Sequence, residues 1–235
     1  MRLLVTRPEP DGERTAAQLR ARGHDVLLAP LLRIEAIADA DLGIGPWAAV
    51  LLTSANGARA AATHRRRNEL LALPALAVGG SSAEAARAAG FTNVSSADGD
   101  GGDLARLAAA RFAGNDRPLL YLAGEDRARD LVADTGHLLV HTTVVYRAVK
   151  AAAFSPAARA ALEAGRLDGV LHFSRRSVEN YLECAAELAG PALAPVHFCL
   201  SARAAEPLKA AGAAQVRVAA RPEEAALLAL VTPPA

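Results

Sequence analysis

The sequence predicts an α/β protein: two similar three-layer domains with parallel sheets, joined by a two-stranded antiparallel linker. Two observations carry that prediction. Short apolar runs alternate with alanine-rich helical patterns along the whole chain, as strands and crossover helices do in parallel sheets. Strand-turn-helix units also recur half a chain apart, Trp47–Asn56 matching Leu167–Ser177 and Leu76–Ser82 matching Val196–Ser201. Self-similarity at so long a spacing implies two related domains and not a short-period solenoid. Two such domains form a cleft, and clefts at domain interfaces hold small ligands.

In chain order, the strand Leu3–Val5 precedes a helical pattern over Gly12–Arg22, Val50–Leu52 precedes Asn56–Thr63, and Leu76–Val78 precedes Ala83–Ala89. Leu119–Leu122 then precedes Arg127–Ala133, Val170–Phe173 precedes Ser177–Leu188, and Phe198–Leu200 precedes Ala202–Ala211. Gly23, Gly90, Gly136 and Gly212 fall where a helix ends, supplying left-handed caps. The first unit, Leu3 to Gly23, has its natural partner in Leu119 to Gly136, which closes the middle of the chain. The N-terminal unit therefore groups with the C-terminal stretch. The first domain is expected over 1–35 plus 149–235, with 36–148 inserted as the second. Pro30–Ala36 and Thr142–Ala148 alternate apolar and polar residues, as a paired ribbon does. They place linker strands near 30–37 and 142–149, a double connection that permits hinge motion while limiting twist.

With 52% hydrophobic residues in 235, the chain can build real cores. Its 26 basic and 25 acidic residues nearly cancel, so no nucleic-acid-binding surplus exists. The basic residues are almost all arginine, Lys150 and Lys209 being the lysines. That reflects composition bias except where an arginine sits at a cleft, ready to bind a carboxylate bidentately. Cys184 and Cys199 stand in no metal-type spacing and read as reduced thiols. A strand begins at once at Met1–Val5, leaving no room for a signal peptide. No apolar run reaches membrane-spanning length. The expectation is a cytoplasmic protein with no membrane or nucleic-acid partner.

In open α/β sheets, ligands collect at the carboxyl ends of strands. The residues there are Thr6 and Arg7, Thr53, Ser54 and Asn56, Gly79, Ser81 and Ser82, Gly124, then Ser174, Arg175, Arg176 and Ser177, and Ser201. Such a set donates hydrogen bonds to anions and offers little acid or base. A serine or threonine after a strand also serves simply as a helix N-cap, worth about 1 kcal/mol. The Gly79-Gly80-Ser81-Ser82 turn has no following lysine and matches no nucleotide fingerprint. Asp98–Asp103 resembles a calcium loop, but Ala109 stands where the closing glutamate belongs, so this reads as a loop ending in an Asp103 cap. His137 and His141 have helical metal spacing within a strand-like run, so no metal site is expected. Tyr146 lies in the linker beside Arg147, either packed across the junction or at work in a site.

In this order, several short motifs resemble the uroporphyrinogen-III synthase family. They are Val5-Thr6-Arg7-Pro8, Leu52–Gly57, Ala77-Val78-Gly79 with Ser82-Ala83 and Ala89-Gly90-Phe91, and Leu120–Glu125 with Arg127. Val145-Tyr146-Arg147, Phe173-Ser174 and Leu200-Ser201 complete the series over nearly the whole chain. The resemblance implies two α/β domains joined by a two-stranded ladder, with the active site between them. It implies that hydroxymethylbilane, a linear tetrapyrrole rich in carboxylates, loses water and closes with inversion of its last pyrrole. Loss of the hydroxyl gives an azafulvene that closes spontaneously to the uninverted isomer, so the catalyst must control conformation more than supply chemical force.

By matched position Tyr146 assists departure of the hydroxyl, and Ser82 keeps a hydroxyl where the family often has threonine. After Phe173-Ser174 family members often continue with proline, where this chain has Arg175-Arg176. Arg7, Arg127, Arg175 and Arg176 are the arginines placed to meet carboxylates. The resemblance implies no cofactor, a monomer, and transient contact with hydroxymethylbilane synthase, which makes the unstable substrate. The competing expectation is a non-catalytic two-domain clamshell that binds a small polyanion.

Overall fold

The structure is a computed structural model and describes residues 1–126 and 138–232. The chain divides into two compact units, Met1–Arg33 with Val149–Ala235, and Ile34–Ala148. The first begins with β1 (Arg2–Val5), α1 (Asp11–Ala21) and β2 (Asp25–Leu28). After β3 (Leu32–Ala36), the second unit runs β4 (Val50–Leu52), α2 (Ala55–Thr63), α3 (Arg67–Leu71), β5 (Ala75–Ala77), α4 (Gly80–Ala89), β6 (Val94–Ser96), α5 (Gly101–Arg111) and β7 (Leu119–Gly124). β8 (Val140–Lys150) leads back to the first, which continues with α6 (Pro156–Glu163), β9 (Gly169–His172), α7 (Arg175–Cys184), α8 (Ala189–Leu193) and β10 (Val196–Cys199). It closes with α9 (Ala202–Ala210), β11 (Val216–Val218) and α10 (Glu224–Ala229).

The first sheet has the order β11-β10-β9-β1-β2, the second β3-β8-β7-β4-β5-β6. Set side by side, β11-β10-β9-β1-β2 and β6-β5-β4-β7-β8 are the same arrangement, and each of these neighbouring pairs is parallel. The repeat is therefore structural: β9-α7 answers β4-α2, β10-α9 answers β5-α4, and β1 answers β7. The strand order turns back between β1 and β9 in one sheet and between β7 and β4 in the other, where an open α/β sheet leaves a crevice. β3 adds an edge strand beside β8. Ile37 N–H donates to Val145 and Ala151 N–H to Leu31. The numbers run in opposite directions, so this ribbon is antiparallel.

Each central strand buries both faces, which makes three layers. Val50, Leu52, Leu120 and Leu122 pack with Ala58 and Phe91 on one face. The alternating Ala49, Leu51, Leu119 and Tyr121 pack with Leu104 on the other. In the first sheet Leu4 and Val170 meet Phe154, Leu162 and Tyr181, while Leu3, Val5 and Leu171 meet Leu19, Phe198 and Leu227. Gly23 and Gly90 end α1 and α4 at φ +82° and +107°, a region open to glycine at little cost.

Some local expectations shift. The cap of α5 is Asp100, which accepts from Gly102 and Asp103 N–H, while the Asp103 carboxylate returns to the Asp100 N–H. Asp103 is thus the second half of a capping box. α7 stops at Cys184, and α8 takes up the stretch beyond Leu188. Arg127–Ala133, Gly136 and His137 lie outside the described residues, and His141 stacks on Trp47.

One polar pair lies inside the first unit. His172 Nε2 and His197 Nδ1 are 3.1 Å apart, both side chains fully buried, with Tyr181 edge-on to both rings. Burial and the neighbouring ring hold His172 well below its ordinary 6.5. Burial lowers His197 to about 4, against an opposing pull from backbone groups of Ala192 and Leu193. Folding thus favours the neutral form. The resulting stability is complete above the unfolded value near 6.5 and is lost as pH falls toward 4. Urea unfolding between pH 7.5 and 4.5 should show stability falling with acid. His197→Leu should make that slope shallower by up to about 1.4 kcal/mol per pH unit. Equal slopes in wild type and variant would remove the pair as a cause.

Candidate active site

Hydroxyls converge at the carboxyl ends of β4 and β7 in the second unit, where its strand order turns back and where β8 sets Tyr146 beside the end of β7. Two residues beyond Leu52, Ser54 is extended and its Oγ caps α2 by accepting from Asn56 N–H at 3.2 Å. One residue earlier, Thr53 Oγ1 lies 2.8 Å from the Tyr121 hydroxyl. β7 and β8 slip register between Ala123 and Gly124, which sets Gly124 opposite Tyr146. A Cβ on Gly124 would lie 2.7 Å from Tyr146 Cζ and 2.8 Å from its hydroxyl. Only glycine leaves room for that ring. Glu125 N–H then donates to the Tyr146 carbonyl at 2.9 Å, fixing the strand just past the contact.

Burial pushes the half-buried Tyr146 phenol above its ordinary value of 10, the hydrogen bond with Ser54 opposes that rise, and nearby Tyr121 adds to it. Tyr146 is therefore a neutral donor at pH 7. Ser54 and Thr53, consecutive in the chain, each engage one tyrosine hydroxyl. Asn56 Oδ1 accepts from Arg59 at 2.9 Å, leaving its amide N–H groups as the side chain's donors. In the same unit Gly79 begins α4 in an extended conformation with no side-chain cap. Ser81 is exposed and Ser82 buried in the first helical turn, and a Cβ on Gly79 or Gly80 would meet nothing within 4 Å. That is an open helix N-terminus of the kind that attracts carboxylates.

The first unit uses its matching positions differently. Thr6 is fully buried and its hydroxyl donates to the Leu171 carbonyl at 2.9 Å, so it joins β1 to β9. Arg7 pairs with Glu224 at 3.0 Å and Asp11 at 3.7 Å, donates to Thr15, and lies 4.3 Å from the centre of the Phe173 ring. Its charge is already met by partners beside the turn-back point of this sheet. Ser174 and Ser177 form a capping box at the start of α7, with Ser177 buried. Ser201 caps α9 by accepting from Ala204 N–H. Arg175 is exposed but held by Glu179 at 2.8 Å and Glu206 at 2.7 Å, and Arg176 is also engaged within the protein. Arg127 lies outside the described residues.

The structure thus gathers Thr53, Ser54, Gly124 and Tyr146, and adds Tyr121, which the sequence presents only as core. A signal exists in the sequence: a tyrosine in a buried strand needs a partner for its hydroxyl.

The family model HEM4, uroporphyrinogen-III synthase HemD, matches residues 13–229. The chain belongs to this family. Two solved structures share its fold. One is uroporphyrinogen-III synthetase from Helicobacter pylori 26695, at TM-score 0.65 and 17% identity over 98% of each chain. The other is a mutant uroporphyrinogen III synthase from the extremely thermophilic bacterium Thermus thermophilus, at TM-score 0.51 and 17% identity over 98% of this chain and 97% of that one. No curated protein sequence matches. The protein is an enzyme of tetrapyrrole biosynthesis that cyclises hydroxymethylbilane to uroporphyrinogen III, which decides against the non-catalytic clamshell.

Because the Tyr146 ring occupies the space a Cβ would need, Gly124→Ala should lower stability by about 1–3 kcal/mol, the usual cost of overpacking. It should also slow turnover by displacing the phenol. Urea unfolding and a rate assay on the same sample test this; wild-type values in both would mean the ring moves aside freely.

Proposed function

We propose that the β4 and β7 ends of the second unit, with the β8 residue Tyr146 beside them, direct the ring closure, Tyr146 being the acid that protonates the departing hydroxyl. The observation that carries this reading is the seating of Tyr146 on Gly124, with its hydroxyl bonded to Ser54. If Ser54 donates into the phenol oxygen, the phenolic proton remains free for the hydroxyl of the substrate. The C–O bond breaks, water leaves with that proton, and the pyrrole electron pair stabilises the cation left behind. A pyrrole expels this group readily, so the acid has modest work to do. Most of the task is to hold the chain in the one fold that yields the inverted ring.

Carboxylate binding falls to groups that donate without titrating. These are the open N-terminus of α4 at Gly79 with Ser81 and Ser82, the Asn56 amide, and the Thr53 hydroxyl. In the first unit, Ser174 and Ser201 mark the N-termini of α7 and α9 as further carboxylate positions, with Arg175 and Arg176 as cations in the first turn of α7. Thr6, Arg7 and Ser177 serve the scaffold. Among the described residues no helix is long and apolar enough to cross a membrane. We also propose a monomer in the cytoplasm that takes its unstable substrate in transient contact with hydroxymethylbilane synthase.

The test is incubation with enzymatically generated hydroxymethylbilane, separating the isomers formed. Wild-type protein should give mainly type III, and Tyr146→Phe should slow turnover by about a hundredfold or less, the low end for general-acid help, with the product still type III. Type I product alone, at the spontaneous rate, would overturn the enzymatic reading. An unchanged kcat in Tyr146→Phe would reduce the tyrosine to packing.

A further inference from the structure

We propose that Tyr121 is a positioning residue for this reaction: its phenol donates to Thr53 and thereby turns the Thr53 proton outward, toward a carboxylate of the substrate. The inference rests on the reading that the β4 and β7 ends form the reaction site.

Tyr121 is 4% exposed, and its ring lies in an apolar cluster with Ala49, Leu51, Leu104 and Leu119. Phenylalanine would fill that space equally well. The hydroxyl therefore adds a desolvation cost unless it is bonded, and its bond goes to the residue that leaves β4 at the crevice, at 2.8 Å. The direction of that bond follows from acidity. A phenol, with a pKa near 10, is a stronger acid than an aliphatic alcohol, and its oxygen is the poorer acceptor because a lone pair is shared with the ring. The phenol donates and Thr53 accepts.

Thr53, half-buried, then keeps its own proton for a third partner, and a hydroxyl that accepts becomes a better donor. Without Tyr121 the Thr53 hydroxyl has no other hydrogen-bond partner among the described residues to orient it, and it loses that polarisation. Tyr121 also lies close enough to Tyr146 to influence its ionisation. The two phenols, one on β7 and one on β8, act on the adjacent hydroxyls of Thr53 and Ser54. Tyr121 sets a binding group and Tyr146 meets the leaving group.

A double-mutant cycle tests this. Wild type, Tyr121→Phe, Thr53→Val and the double variant are assayed with enzymatically generated hydroxymethylbilane across substrate concentration, with unfolding midpoints measured in parallel. Tyr121→Phe should lower kcat/KM about three- to tenfold, the size of one net hydrogen bond, chiefly through KM and with product still type III. The double variant should be no worse than Thr53→Val, because Tyr121 acts through that hydroxyl. Thr53→Ser, which keeps the hydroxyl, should restore the dependence on Tyr121. A wild-type KM in Tyr121→Phe, or a loss that adds in full to that of Thr53→Val, overturns the inference. If wild type makes type III and Tyr146→Phe slows it while Tyr121→Phe is normal, only this inference fails. If wild type makes type I alone, the site reading fails and takes the inference with it.

Discussion

Tyr146 rests against the backbone of Gly124 so closely that a single added carbon would lie 2.7 Å from the ring. That contact exists because β7 and β8 slip register just before Gly124, and a bulge re-aims the side chain beyond it. The ring in turn sets where the phenol meets Ser54, and Ser54 is held by its duty as cap of α2. Strand register, helix cap and phenol orientation are thus one linked constraint. The chemistry proposed for the phenol depends on all three.

The same sheet order appears twice, yet the two turn-back points are put to different use. In the first unit that position is packed by Arg7, Phe173, Thr15 and Glu224, an assembly of ion pairs and a cation over a ring. In the second, the corresponding position carries neutral hydroxyls and a glycine. Repetition supplied two equivalent frames; the side chains decided which holds the phenol. A neutral, donor-rich surface also suits a reaction that needs restraint of shape more than strong acid or base.

The α/β class, the parallel sheets and the internal repeat are legible in the sequence because they rest on local pattern: apolar runs of strand length, helical stretches between them, and glycines at helix ends. The repeat even points to the equivalence of β1 and β7 that the sheet orders display. What is not legible depends on partners far along the chain. Arg7 looks like a free cation until Glu224 is seen beside it, and Thr6 looks like a donor until Leu171 takes its hydroxyl. Tyr121 is hidden by its neighbours, since a tyrosine within Leu119-Leu120-Tyr121-Leu122 reads as core, and its hydroxyl finds its partner in Thr53, just past the end of β4. The cap of α5 differs from expectation by one step of a box, because Asp100 and Asp103 each stand where an aspartate could take either role.

The chain has three tyrosines, and their placement allows a direct measurement. Tyr121 and Tyr146 stand at the proposed reaction site, while Tyr181 lies buried in the first unit with its hydroxyl donating to Ala192 at 2.7 Å. Protein labelled with carbon-13 at tyrosine Cζ should give three resonances, assigned by the Tyr121→Phe and Tyr146→Phe variants. Anaerobic titration with uroporphyrinogen III should move the Tyr146 and Tyr121 signals and leave Tyr181 in place. Saturable binding that moves neither of those two would contradict the placement of the reaction at the β4 and β7 ends.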